Sequence, residues 1–133
     1  MATDVRIKRA YDPPAASDGY RVLIDRVWPR GVKREELRID DWARDLAPSA
    51  ELRRWFGHDP ARFAEFRTRY RAELEGQAEK LTELRWRAQA GTLTLVYGAR
   101  DREHNNAVVV AELLRAAQPA TGDWRPLSGA ASP

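Results

Sequence analysis

Three segments of the chain have the hydrophobic patterns of β-strands. Residues 5–9 alternate apolar and basic side chains, which predicts a strand with one buried face. Residues 20–27 are rich in β-branched and aliphatic side chains with a nearly continuous apolar middle, so they predict a more central strand. Residues 92–97 give the clearest strand pattern. Two strands are therefore expected early in the chain and one late.

Between residue 49 and the last strand, and again after it, the apolar period becomes helical. One stripe is formed by Phe63, Phe66, Tyr70 and Leu74, which follow one another at intervals of three or four residues. Capping and breaking residues mark four helices: Ser49 and Gly57 for a short first one, Asp59-Pro60 and Gly76 for the second, Gly91 at the end of the third, and Asn105 or Asn106 before a last helix over residues 107–116.

Strands separated by helices are typical of an α/β fold. The pattern predicts a small parallel or mixed sheet of three to four strands with helices packed on it. Residues 1–117 form one such domain in this interpretation. Residues 118–133 are rich in Pro, Gly, Ser and Ala, so we expect a weakly ordered tail with an anchor at Trp124.

Composition narrows the class of protein and of chemistry. Apolar residues make up 43% of the 133 residues, which is typical of a globular domain. The sequence has no secretory signal pattern and no segment apolar enough to span a membrane, so a cytoplasmic location is expected. The chain has no cysteine, which excludes disulfides, thiolate catalysis and cysteine-based metal sites.

The basic residues are almost all arginine. Only three of the 23 lysines and arginines are lysine, and the formal net charge is a modest +3. Genomic composition bias is one explanation for the arginine total. Arginine also forms forked hydrogen bonds to carboxylates and phosphates and stacks on aromatic rings, so its positions are informative.

A dense polar cluster follows the second predicted strand. It contains Asp25, Arg26, Trp28 and Arg30 within six residues, and strand alternation places Asp25 and Val27 on one face and Arg26 and Trp28 on the other. The two arginines can hold an anion while the indole forms an aromatic wall. The alternative is a structural ion network between the aspartate and the arginines, with the tryptophan filling a gap in the core.

A second polar loop, residues 97–106, joins the last strand to the N-terminus of the last helix. A helix N-terminus favours anion binding. Ligands of such sheets bind beyond the carboxyl ends of the strands, and parallel strands would bring the two loops to one edge of the sheet. Asp25 or Asp101 is the candidate general base and Tyr97 the candidate proton donor. Simple capping by asparagine is the alternative for this loop, which lacks the glycine motifs of nucleotide phosphate loops.

The two histidines do not form a known metal motif. His58 adjoins Asp59 in a capping turn, and His104 lies near Asp101 and Glu103, where it could act as acid, base or ligand or simply be exposed. The sequence therefore predicts no metal site. It identifies neither a cofactor nor an oligomeric state.

Four segments together resemble the bacterial YeaO-like proteins, a branch of the family called domain of unknown function 488. They lie at residues 7–11, 25–31, 46–56 and 92–107, and the resemblance covers residues 5–116. It implies an α/β fold and a cytoplasmic bacterial protein, with no assigned activity. Thiol chemistry of cysteine-containing branches does not carry over. The residues at the motif positions are Arg9, Asp25, Arg26, Arg30, Ser49, Arg53, Tyr97, Asp101 and Asn105, with Trp28 and Trp42 as aromatic walls.

Together, these observations predict a pocket for a small anionic or nucleotide-like ligand at the strand ends. Its binding residues would be Arg9, Arg26, Trp28, Arg30, Arg53 and Asn105. The alternative is a nucleic-acid-binding or regulatory module that uses the same arginine and tryptophan surface. No membrane partner is expected.

Overall fold

Residues 3–116 are the part of the chain that the computed structural model describes. Their strands are β1 (Asp4–Arg9), β2 (Tyr20–Leu23), β3 (Asp41–Trp42) and β4 (Thr92–Tyr97). Their α-helices are α1 (Arg34–Leu37), α2 (Ala50–Phe56), α3 (Phe63–Leu74), α4 (Ala78–Ala90) and α5 (Asn106–Arg115). Short 3-10 turns precede β2 and α2 and flank α3.

The four strands form one parallel sheet in the order β1-β4-β2-β3. β4 occupies the centre, where Leu93 pairs with both Val5 and Tyr20. This arrangement confirms the predicted α/β class and the parallel sheet of three to four strands with helices on it. The sequence pattern did not indicate β3 or α1, because two and four residues are too few to show a period.

β2 is shorter than predicted, and the boundary at residue 27 is wrong. The strand ends at Leu23, although the Ile24 amide still donates to the Val96 carbonyl at 3.1 Å. The carbonyls that follow accept from side chains instead of continuing the ladder: Ile24 from the Asn106 amide at 3.2 Å and Asp25 from the Trp42 indole at 2.7 Å. The expected alternation of faces beyond residue 24 fails for the same reason, and Arg26 and Val27 are both exposed.

One face of the sheet carries the main core, formed with helices α2 to α5. The predicted stripe of Phe63, Phe66, Tyr70 and Leu74 is buried there, as are the inward residues of α5. Most of the predicted helix boundaries are confirmed. The Ser49 hydroxyl accepts from the Leu52 amide at 3.1 Å, and Gly57 ends α2 in the left-handed region with φ 56°.

Two helix starts differ slightly from the prediction. Asp59 caps a 3-10 turn over Pro60–Arg62, and the α-helix begins only at Phe63. Of the two candidate caps for the last helix, Asn105 is the cap, and the helix begins at Asn106 rather than Ala107.

The second face of the sheet is covered by the segment between β2 and β3. Trp28 and Trp42 meet edge to face there, with ring centroids 5.2 Å apart, and pack over Leu23 and Val96. Burial on both faces is what a parallel sheet requires, because its strands are apolar on both sides.

A buried ion pair lies at the other end of this second face. The Arg21 guanidinium is 2.7 Å from an Asp18 carboxylate oxygen, and both residues are at least 95% buried. Lys8 bonds the same carboxylate at 3.0 Å.

Among residues 3–116, no helix is long and apolar enough to cross a membrane. The tail predicted from residue 118, with its anchor at Trp124, lies outside the described residues, so that prediction and the domain boundary at residue 117 stay predictions.

Candidate functional site

A cleft of about 860 Å³ lies at the edge of the sheet where β2 and β4 end. The loop after β2, the loop after β4 and helix α2 form its walls. The expectation that the two polar loops share one edge is therefore confirmed, because the two strands run parallel and pair directly. The polar residues lining the cleft are Asp25, Arg26, Arg30, Arg53, His58, Arg100, Asp101, His104, Asn105 and Asn106.

Asp25 joins the two loops. One of its carboxylate oxygens accepts the backbone N–H of Gly98 at 2.8 Å, and the other accepts the side-chain amide of Asn106 at 3.0 Å. Burial raises the pKa of Asp25, and these two hydrogen bonds oppose the rise only in part. The charges of Arg53 and His58 act in the same direction as the hydrogen bonds. The carboxylate is thus held in place by neutral donors.

Four arginines line the cleft: Arg26, Arg30, Arg53 and Arg100. All four are exposed, and none lies within ion-pair distance of a carboxylate among residues 3–116. Within residues 3–116 these four guanidinium groups make a single hydrogen bond. It is a long one, from Arg26 to the Ala47 carbonyl at 3.5 Å. Their guanidinium groups are available to a ligand.

The ion network offered as the structural alternative is absent from the described residues. Asp25 bonds Gly98 and Asn106, and it forms no ion pair with Arg26 or Arg30.

Asp101 and Asn105 shape the loop after β4. The Asp101 carboxylate accepts the backbone amides of Glu103 and His104 and lies 2.9 Å from Nδ1 of His104. The Glu103 amide is the main cause of the lowered pKa of Asp101. Asn105 is 2% exposed and uses its side chain to cap α5 through the Val108 amide and to bond the Asp101 carbonyl. Both side chains are already engaged within the loop.

Two of the predicted site residues lie beside the cleft rather than in its lining. Tyr97 is 1% exposed in the main core, where burial raises its pKa and its hydroxyl bonds Asn105. The Arg9 guanidinium bonds the Ala99 carbonyl at 2.8 Å, so it supports the loop from behind.

The two predicted aromatic walls differ in position. Trp28 lines the cleft but is half-buried, and its indole N–H donates to the Val32 carbonyl at 2.6 Å. Trp42 lies outside the lining, with Arg44 stacked 3.8 Å from its ring centroid.

Ser49, the predicted helix cap, donates hydrogen bonds from its hydroxyl and its backbone amide to the Glu73 carboxylate.

Sequence reasoning did not select Asn106, Arg100, His58 or His104 as site residues. Asn106 donates to the Ile24 carbonyl and to Asp25, and its amide also contacts the Tyr70 hydroxyl. The pair Asn105-Asn106 carries a signal for this role, because one helix needs only one cap and the second amide is free to reach the strand end. No group of three histidine, aspartate or glutamate residues in the described range is placed to hold a metal ion.

Comparison with known proteins identifies the family to which the chain belongs. The family model described as "Inactive DUF488-N3 subclade" matches residues 4–131. The chain is 42% identical over 115 residues to the uncharacterized protein YeaO of Escherichia coli, which covers 84% of the chain and 97% of YeaO.

Mycobacterial relatives are equally similar. The uncharacterized proteins Rv3073c of Mycobacterium tuberculosis and Mb3100c of Mycobacterium bovis are each 43% identical over 112 residues, covering 84% of the chain and 94% of the relative. No solved structure matches the chain. The chain belongs to the YeaO-like family of bacterial proteins within domain of unknown function 488.

Proposed function

We propose that the cleft binds a small anionic or nucleotide-like ligand, with Arg26, Arg30, Arg53 and Arg100 holding the anion. The observation that carries the proposal is the group of four exposed guanidinium groups without a carboxylate partner, gathered from three separate segments around one concavity. Guanidinium is the side chain best suited to bind phosphate or carboxylate groups by paired hydrogen bonds.

Several arginines outside the cleft, unlike these four, have carboxylate partners. On α3, Arg67 and Arg71 pair with Glu112, and Arg69 pairs with Glu65. The cleft instead holds four guanidinium groups against two carboxylates, and one of these carboxylates is hydrogen-bonded by neutral groups. Like charges at one site repel each other, and an anion relieves that repulsion.

The size and lining of the cleft suit a ligand with an apolar body. Small-ligand sites typically enclose about 300–1,000 Å³ and combine apolar walls with a few polar groups. Apolar surface beside the arginines comes from Val27, Trp28, Pro29 and Pro48. This combination favours a nucleotide-like compound over an inorganic anion as the physiological ligand.

Binding without turnover is the function that we favour. The matching family model carries the word "inactive" in its description. The proposed proton donor Tyr97 is buried away from the cleft lining, and the proposed base Asp101 is bonded to its own loop. Asp25, the other candidate base, also lines the cleft, and a role in binding accounts for its position.

Two neighbouring arginines of α2 allow a controlled test of the anion site. Arg53 lines the cleft and Arg54 does not, although both are exposed and neither has a carboxylate partner among the described residues. We expect Arg53→Ala to weaken pyrophosphate binding about 10- to 100-fold in calorimetric titration, because a charge-assisted hydrogen bond is lost. Arg30→Ala is expected to act in the same direction, and Arg54→Ala to change affinity less than about twofold.

The proposal is wrong if the unmodified protein binds neither pyrophosphate nor any nucleoside phosphate. It is also wrong if Arg53→Ala and Arg54→Ala weaken binding equally, because a diffuse positive surface would then explain the affinity.

Binding of nucleic acid by the same surface is tested by salt dependence. A protein that follows a phosphate backbone releases several counterions, so four arginines that each contact one phosphate of a single strand predict a loss of affinity of about 50-fold between 50 and 200 mM salt. One anion in a concave site releases fewer. We expect fluorescence anisotropy with a labelled single-stranded oligonucleotide to show weak or no binding at low salt, and tight, steeply salt-dependent binding would favour the nucleic-acid function.

A further inference from the structure

The Asp25 carboxylate has unused capacity to accept hydrogen bonds. An ionised carboxylate offers about four acceptor positions on its two oxygens. Among residues 3–116 each oxygen accepts one hydrogen bond, one from the Gly98 amide and the other from the Asn106 side chain. One acceptor position therefore remains on each oxygen, and Asp25 lines the cleft.

The surroundings of Asp25 restrict what can bind there. Lysine or arginine groups of a ligand would be attracted by the carboxylate but repelled by Arg26, Arg30, Arg53 and Arg100 around it. A ligand with an anionic end and two adjacent neutral donors satisfies both parts of the cleft. A nucleoside monophosphate has this arrangement, with its phosphate and nucleoside at opposite ends.

Building on the anion site proposed above, we propose that Asp25 determines specificity for a nucleoside monophosphate by accepting two hydrogen bonds from adjacent neutral donors of the nucleoside. Two parts of such a ligand carry the required pair of donors. One is the guanine edge, with its ring N–H and exocyclic amino group, and the other is the 2′,3′-diol of the ribose. The rigid carboxylate, already fixed by Gly98 and Asn106, is prepared for either pair.

Three nucleotides test this inference on the unmodified protein. GMP has both donor pairs, IMP lacks the exocyclic amino group, and 2′-deoxy-GMP lacks one hydroxyl of the diol. In calorimetric titration we expect GMP to bind, and the nucleotide that lacks the donor used by Asp25 to bind about 10-fold more weakly or worse. Loss with IMP assigns the guanine edge, and loss with 2′-deoxy-GMP assigns the ribose.

Asp25→Asn tests the residue itself. The substitution replaces one acceptor by a donor, so we expect the preference for GMP over the weaker nucleotide to fall to less than about threefold. Pyrophosphate binding, which uses the arginines, is expected to persist and reports that the variant is folded. Asp45→Asn is the matched control, because Asp45 is exposed and outside the cleft lining.

The outcomes separate this inference from the function on which it rests. If GMP, IMP and 2′-deoxy-GMP bind equally, or if pyrophosphate binds and no nucleotide does, the role of Asp25 is refuted while the anion site stands. If neither pyrophosphate nor any nucleotide binds, the anion site itself is refuted.

Discussion

Gly98 and Asp25 show how a single atom can shape the site. The Gly98 amide donates to the Asp25 carboxylate at 2.8 Å, and a Cβ at position 98 would lie 3.1 Å from the same oxygen. A side chain there would crowd the carboxylate that links the loops after β2 and β4. The close approach of backbone and carboxylate thus explains why the residue directly after β4 is glycine.

We predict that Gly98→Ala lowers the free energy of unfolding by about 1–3 kcal/mol, because the added methyl group overpacks this contact. Urea denaturation measures the change. Gly76→Ala is the control, since a Cβ there meets nothing within 4 Å, and we expect it to leave stability unchanged or raise it by up to about 1 kcal/mol. Equal effects of the two substitutions would contradict the proposed crowding.

Burial of Asp25 has a consequence for the pH dependence of stability. Its pKa in the folded protein is raised above the ordinary value of 3.8. At pH values between 3.8 and the folded pKa, the carboxyl group is protonated more often in the folded protein than in the unfolded chain. Asp25 therefore makes folding less favourable as pH rises through this interval. Asparagine does not titrate. We therefore predict that the stability of Asp25→Asn relative to the unmodified protein increases as pH rises from about 4 through the folded pKa of Asp25.

Urea denaturation at a series of pH values measures this difference between the two proteins. Lost hydrogen bonds add an offset that does not depend on pH, so only the slope is informative. A difference that stays constant from pH 4 to pH 7 would contradict a raised pKa of Asp25 in the folded protein.

Helix α5 is the element on which the site most depends. Asn105 caps its first turn, and the following residue, Asn106, reaches across to Asp25 and the Ile24 carbonyl. The sequence predicted that one of the two asparagines would cap the helix, because capping involves residues only three apart. The contact of Asn106 with Ile24 and Asp25 joins residues about 80 positions apart, so no local sequence pattern predicts it.

We predict that Asn105→Ala destabilises the protein by about 1–2 kcal/mol, since it removes the cap on the Val108 amide. Asn105→Asp keeps an acceptor for that amide and is expected to lose less. Thermal unfolding followed by circular dichroism measures both. If the aspartate variant is as unstable as the alanine variant, the bond from Asn105 to the Asp101 carbonyl matters more than the cap.

For the whole molecule, the direction of the strands is what made the site predictable. Parallel strands bring their carboxyl ends to one edge, so the loops after β2 and β4 were expected to meet, and they do. Arg53 was selected only by family resemblance, and Arg100 was not selected. Their positions depend on how α2 and the last loop pack against the sheet, which is set by contacts between distant residues.

Position in the sheet also predicts local stability. β4 forms backbone hydrogen bonds with a strand on each side, β1 and β2, and its residues Leu93 and Leu95 are fully buried. β3 has two residues at an edge and neither is fully buried. We predict that native-state hydrogen exchange of β4 amides requires an opening free energy close to that of global unfolding, while β3 amides exchange through smaller openings. Equal protection of the two strands would contradict this prediction.

The central place of β4 also has a consequence for synthesis of the protein on the ribosome. β1 and β2 do not pair with each other, and each pairs with β4, which begins only at Thr92. Until that segment leaves the exit tunnel, the emerging chain can form helices α1 to α4 and the two-residue contact between β2 and β3, but not the complete sheet. The contacts that Asp25 makes with Gly98 and Asn106 therefore cannot form before residue 106 has left the tunnel.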